Sequence, residues 1–140
     1  MRELKLTADE LGNFMGEIFP LWRHKFEIVS LEPMAMTAFM AVDESDLRPG
    51  NTVSGPSLFG AADGAFYLLT MAMIGKEALT VTTNCAIDFM RKPDLAPIRT
   101  ETRILKLGRS LSVGDVMLYS GDGTDPVAHA NITYSIPPRR

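Results

Sequence analysis

The sequence predicts an α+β fold in which a strongly curved antiparallel sheet wraps around one long central helix. Three observations carry that expectation. The stretch Ser57–Ile74 is apolar nearly all round, so a helix there has to be enclosed by other elements. Four strand-like runs follow it in succession, which implies antiparallel pairing without crossover helices. Only one other helical pattern is present, near the start, so the sheet itself must do the enclosing.

The elements follow in order. Thr7 and Glu10 have the spacing of a capping box, and Leu11, Phe14, Met15, Ile18 and Phe19 recur at helical spacing up to Pro20. Two extended runs come next, His24–Leu31 and Met34–Val42, parted by Glu32-Pro33. The second is so apolar that a strand buried on both faces is expected. The polar segment 43–57, with Pro49, Gly50, Gly55 and Pro56, reads as a structured loop. The central helix, about 18 residues, would be roughly 27 Å long. Strands are then expected over Leu79–Phe89, Ile98–Lys106, Leu111–Ser120 and Val127–Ile136. Leu107-Gly108-Arg109 reads as a hairpin connection, Asp122-Gly123 as a turn, and Pro137-Pro138 as the stop. No repeat, low-complexity tract or domain boundary interrupts 1–140, so one domain is expected.

Composition narrows the function. The chain has 140 residues, 46% of them hydrophobic and 22% charged, in the range of an ordinary globular domain. Fourteen Lys and Arg against 17 Asp and Glu leave a net charge of −3, which argues against nucleic acid as a partner. The single cysteine excludes an internal disulfide and any multi-cysteine metal site. It suits a reducing, cytoplasmic location. MRELKLTADE lacks the apolar core of a secretory signal. Ser57–Ile74 carries Asp63, Gly60 and Gly64 and has no basic N-terminal flank, so it reads as a buried helix rather than a membrane span.

Familiar catalytic motifs are missing. Ser54 has Thr52 where the first glycine of a nucleophile elbow should stand, Ser110 has Ser112 where the second should, and neither a phosphate-binding loop nor a dinucleotide fingerprint is found. His24 and His129 stand apart without ligand spacing, which leaves structural or surface roles and no metal. Cys85 lies mid-strand, where an inert thiol is expected.

What remains is Asp63, the one ionisable acid or base in Ser57–Ile74. A carboxylate in an apolar helix is costly unless paired, solvated by a cleft or protonated. It either faces a solvent seam and bonds its neighbours, or it does chemistry. The chain approaches this helix through Asn51-Thr52-Val53-Ser54-Gly55-Pro56-Ser57. Free N–H groups at a helix N-terminus can polarise a carbonyl oxygen, so a thioester carbonyl held there could face Asp63 two turns on. A plain helix entry explains Gly55-Pro56 as well.

These residues carry a resemblance. NTVSGPSLFGAADGAFYLLTMAMIG, VTTNCAIDFMRKP and RILKLGRSLSVGDVMLYSGDGTDPVAHANITYSIP resemble the hotdog-fold acyl-CoA thioesterases of the PaaI-like, phenylacetate-degradation branch. The specific pieces are the glycine before an apolar helix with an acid eight residues on, the F-x-R-x-P strand end and the K-x-G-R hairpin. The resemblance implies that Gly55 binds the thioester carbonyl through its N–H and that Asp63 is nucleophile or general base. It implies that Thr82 or Thr83 supplies a hydroxyl from the partner subunit. Arg48 falls near a position that often orients the attacking water through Asn or Gln. The common H-G-G is Ser54-Gly55-Pro56 here.

The expected activity is hydrolysis of an acyl-CoA or related thioester to acid and thiol, with no cofactor beyond the coenzyme A moiety of the substrate. The alternatives are a non-catalytic acyl-ligand binder or sensor, and a hotdog dehydratase or hydratase, which normally carries a histidine at the helix start. Arg48, Asn51 and Ser54 belong to the expected substrate site, with Phe59, Phe66, Tyr67 and Met90 lining an acyl pocket. Arg91, Lys92, Lys106 and Arg109 are candidate partners for the phosphates of coenzyme A. Val116–Tyr119 is apolar on both faces, which suggests a homo-oligomer, dimer or tetramer. The resemblance places its active sites at the subunit interface.

Overall fold

The computed structural model describes residues 3–138. Helix α1 spans Ala8–Ile18, and both bonds of the capping box form: Glu10 N–H donates to Thr7 Oγ1 at 3.2 Å and Thr7 N–H to Glu10 Oε1 at 2.9 Å. Its Leu11, Phe14 and Met15 are buried. A short 3₁₀ turn at Pro20–Trp22 leads into β1 (Phe26–Glu32), which forms a hairpin with β2 (Ala35–Met40). Only one face of β2 is buried: Met36, Ala38 and Met40 are enclosed while Ala35, Thr37 and Phe39 stay half-exposed. The apolar composition of this strand suggests burial on both faces; in the described chain the outer one is only partly covered.

The polar connection is ordered. A 3₁₀ turn at Glu44–Asp46 precedes a two-residue ladder of β3 (Leu47–Arg48) and β4 (Thr52–Val53). Asp46 anchors it, accepting from Lys25 Nζ at 2.9 Å and from Ser57 Oγ at 2.8 Å. Helix α2 then runs over Gly55–Ile74, two residues earlier than Ser57, because Ser54 caps it by accepting from Ser57 N–H at 3.3 Å.

Strands β5 (Val81–Phe89), β6 (Ile98–Leu107), β7 (Leu111–Ser120) and β8 (Ala128–Ser135) complete an antiparallel sheet of order β1-β2-β6-β7-β8-β5. The curved sheet closes around α2, as the apolar helix required. From Ala65 to Ile74 every residue of α2 is buried; the helix is long and apolar enough to cross a membrane, yet 78% of its apolar window lies inside the fold. Gly114 makes the contact possible, since a Cβ there would stand 2.7 Å from the Phe66 ring and 2.1 Å from the Arg103 carbonyl oxygen. The strands β1 and β5 are the sheet's edges.

Candidate functional site

The buried run of α2 gives way at its N-terminal half, where Pro56 and Phe59 are exposed and Asp63 is half-exposed. Asp63 is held by two hydroxyls of its own chain. Thr82 Oγ1 donates to Oδ1 at 2.7 Å, and Tyr134 OH lies 2.8 Å from Oδ1 and 2.8 Å from the Asp63 carbonyl oxygen. No hydrogen-bond partner reaches Oδ2 among the described residues. Thr82 faces inward because the register of β5 against β8 shifts between Thr82 and Asn84. That bulge reverses the alternation, so Thr82 and Cys85 both share the inner face of their β8 partners, Tyr134 and Ile132. Thr83, the bulged residue, is exposed and donates to the Thr133 carbonyl at 3.2 Å.

Asp63 opens into a cavity of about 150 Å³ lined by Met15, Phe19, Trp22, Gly64, Tyr67 and Tyr134. Its aromatic walls are packed on one another. Trp22 stacks on Phe26 at 5.5 Å, Phe19 meets Tyr67 edge-on at 5.5 Å, and Tyr134 lies 6.1 Å from Tyr67. Gly64 admits Trp22 and Phe26, whose rings would lie 2.7–2.8 Å from any Cβ there. Burial pushes the Tyr67 hydroxyl up to about 12; it donates to the Ala78 carbonyl at 3.3 Å, so Tyr67 offers the cavity its ring alone. Burial, and then the Asp63 charge, raise the Cys85 thiol above its ordinary value, as an inert cysteine requires.

A second cavity of about 370 Å³ surrounds the start of α2, lined by Arg48, Thr52, Val53, Gly55, Leu58, Phe89, Met90, Arg91, Lys92 and Pro93. The two cavities have no residue in common. Gly55 is the first residue of α2 and Asp63 the ninth, so about 12 Å of helix axis separates them. Gly55 and Asp63 of one chain therefore do not meet on one carbonyl, contrary to the arrangement expected from two turns of helix.

The remaining expected site residues divide the same way. Arg48, Met90 and Arg91 gather with Gly55; Ser54 is the cap of α2, and Asn51 sits in the β3–β4 turn with a φ of 58°. Tyr67 and Thr82 gather with Asp63. The Thr82 hydroxyl comes from the same chain, where the partner subunit had been expected to supply it. Phe66 is fully buried against Gly114 and Tyr134 and belongs to the core, while Phe59 lies exposed on α2 between the two cavities. Thr83 faces away. Arg91 and Arg109 lie at opposite ends of the sheet, since Phe89 pairs with Ala128 and Val81 with Ser135, which in turn pairs with Leu111. Eight residue steps along β5 separate those ends by about 26 Å, so Arg91 and Arg109 of one chain do not act on the same group.

Tyr134, Phe19 and Trp22 were not anticipated. The alternation Ile132-Tyr134-Ile136 does place a tyrosine on a buried face, where its hydroxyl needs a partner; which partner is decided by tertiary contact.

Comparison with known proteins agrees with this architecture. Residues 50–134 match the family model described as Thioesterase superfamily. A candidate thioesterase from Silicibacter sp. superposes with a TM-score of 0.90 at 46% identity, over 98% of this chain and 96% of that one. Thioesterase superfamily member 2 of zebra fish matches with a TM-score of 0.82 at 20% identity, over 95% and 100% of the two chains. A hypothetical thioesterase from Streptococcus pneumoniae, crystallised with coenzyme A, matches with a TM-score of 0.75 at 18% identity, over 96% and 99%. No curated protein matches the chain. The family match spans more than half the sequence and the 46% identical relative nearly all of it, and the chain belongs to the thioesterase superfamily.

Proposed function

We propose that this chain hydrolyses an acyl-CoA or closely related thioester, with Asp63 as general base or nucleophile, in the PaaI-like branch of the superfamily. The observation that carries the reading is the Asp63 carboxylate itself. It interrupts the face of an otherwise apolar helix, opens into an aromatic cavity, and keeps Oδ2 free of donors among the described residues. A carboxylate so placed can take a proton from water or attack a carbonyl carbon.

The separation of Gly55 from Asp63 supports an active site shared between two copies. The edge of β5 is unpaired in the described chain, and α2 exposes Pro56, Phe59 and Asp63 alongside it. Two copies related by a two-fold axis near Phe59 would run their α2 helices antiparallel. Gly55 of the partner subunit would then stand opposite Asp63, and the Arg109 end of one sheet beside the Arg91 end of the other. In this arrangement the partner's helix N-terminus polarises the thioester carbonyl. Arg48, Arg91 and Lys92 around that terminus suit the phosphates of coenzyme A, the ligand of the pneumococcal neighbour. The free thiol of Cys85 suits a cytoplasmic site of action. Neither histidine lines either cavity, which disfavours dehydratase or hydratase chemistry.

The test is release of free thiol from short, long and aromatic acyl-CoAs by wild type and Asp63→Asn. Saturable, Asp63-dependent release supports hydrolysis; tight acyl-CoA binding without turnover replaces it with a binding or sensor role. Gly55→Pro removes the N–H at a position whose helical φ proline tolerates. If each site draws on both copies, mixing the two inactive variants under exchange restores up to about a quarter of wild-type activity, because each mixed dimer holds one intact site. A mixture that stays inactive after exchange, or a monomeric mass by light scattering in an active sample, rejects the shared site.

A further inference from the structure

We infer that Tyr134 is a positioning residue for catalysis: its hydroxyl, with that of Thr82, fixes the Asp63 carboxylate through Oδ1 so that Oδ2 alone is presented to water or substrate. The inference rests on the proposed hydrolysis at Asp63.

The geometry makes the argument. Tyr134 OH stands 2.8 Å from both Asp63 Oδ1 and the Asp63 carbonyl oxygen, so one phenol spans the side chain and main chain of the same residue. That contact restricts the first side-chain torsion of Asp63, and the Thr82 bond at 2.7 Å restricts rotation of the carboxylate plane. Neither donor carries a charge. A cation in the same place would hold the carboxylate too, but would cancel the charge on which its basicity depends. Hydroxyl donors orient it and leave the charge standing.

The surroundings keep this arrangement unchanged across the working pH range. Burial, and then the neighbouring carboxylate, raise the Tyr134 hydroxyl far above its ordinary value, so it remains a protonated donor. Among the described residues of the same chain, Tyr67 on α2 and Cys85 on β5 are the other titratable groups beside Asp63, and both are raised. From α1 and the turn after it come only Met15, Phe19 and Trp22.

Tyr134→Phe keeps the ring and its packing on Phe66 at 5.3 Å and removes the donor. A hydrogen bond to a charged group is strong enough that kcat should fall roughly tenfold or more, with KM changed less than about twofold. The acid limb of the kcat/KM profile should move to higher pH, because the ionised carboxylate has lost a donor. Since both hydroxyls act on one oxygen, Thr82→Val combined with Tyr134→Phe should cost less than the sum of the two singles. Site-specific 3-fluorotyrosine at position 134, a stronger donor in an intact core, should move the acid limb to lower pH.

Turnover near wild type in Tyr134→Phe with an unmoved acid limb overturns the inference while an inactive Asp63→Asn leaves the hydrolysis reading standing. An active Asp63→Asn removes both. If Tyr134→Phe lowers the melting temperature enough to account for its lost activity, the fluorotyrosine protein decides: an unmoved limb overturns the inference, a lowered one sustains it.

Discussion

Two aspartates, one on the outer face of the sheet and one on the helix beneath its inner face, are held in two different ways. Asp115, on β7, is enclosed on the outer face, where Arg103 donates through Nε at 2.7 Å and through a terminal guanidinium nitrogen at 3.2 Å. His129 Nε2 lies 2.9 Å from Oδ2, the oxygen that also accepts from the Arg103 terminal nitrogen, while Arg103 Nε bonds Oδ1. Burial works against its ionisation, but the Arg103 and His129 bonds outweigh it and hold its carboxyl below the usual carboxylate range. Asp63, beneath the inner face, meets only hydroxyls, and one of its oxygens is left open. Arg103 neutralises the buried carboxylate of Asp115, and together with the His129 ring it commits both oxygens to structure. Neutral donors applied to one oxygen hold the group still and leave the other able to react.

Exchanging the carboxylate for its amide at each position breaks this comparison most sharply if it is wrong. Asp63→Asn should lower kcat by roughly 10²–10⁴, the usual cost of a lost general base, while the melting temperature holds or rises slightly. Near-wild-type turnover, or a melting transition that collapses in step with activity, would make Asp63 structural after all. Asp115→Asn should do the reverse. Removing the charge between Arg103 and His129 should destabilise the fold by about 1–3 kcal/mol, read from denaturant unfolding, with kcat essentially kept.

The pH dependence of stability sharpens the point. Because the folded carboxyls of Asp115 and Asp46 are both lowered, their stabilising contribution is full above the unfolded carboxylate value, near pH 4. It is lost as pH falls through the folded values. Asp115→Asn should flatten that acid-side loss in a urea series taken below pH 5. An unchanged slope would mean that the ion pair is no stronger folded than unfolded.

Smaller effects test the two cavities. Arg48→Glu, at the cationic cavity around Gly55, should raise KM for an acyl-CoA several-fold and spare a small thioester lacking the nucleotide; equal effects on both would remove that cavity from coenzyme A binding. Thr83→Ala should be nearly silent and Thr82→Ala should not, since the bulge turns only Thr82 toward Asp63. Equivalent activities for the two would show that the β5 register does not matter to the reaction.

Much of this could be read along the chain. The capping box, the α2 interior and the four-strand run follow from local spacing, and the cost of a charge in an apolar helix singles out Asp63 as the residue to explain. Other residues were misjudged because their surroundings are assembled from distant segments. Phe66 looked like a pocket wall, yet a missing Cβ at Gly114 draws it into the core. Arg91 and Arg109 read alike as candidate partners for coenzyme A phosphates, and antiparallel pairing puts them at opposite ends of the sheet. Tyr134 was overlooked because nothing near it in sequence says where its hydroxyl points.

The sequence by itself therefore determined that a long apolar helix would be wrapped by an antiparallel sheet, and that one carboxylate on that helix would need an explanation. Hydrophobic periodicity and turn chemistry are local, and they act before any distant contact forms. Only the tertiary structure decided which oxygen of Asp63 is held, which threonine holds it, and that Tyr134 reaches it from β8. Those outcomes hang on a single-residue bulge in β5 and on the approach of β8 to α2, contacts between residues up to 71 positions apart, which no local pattern encodes.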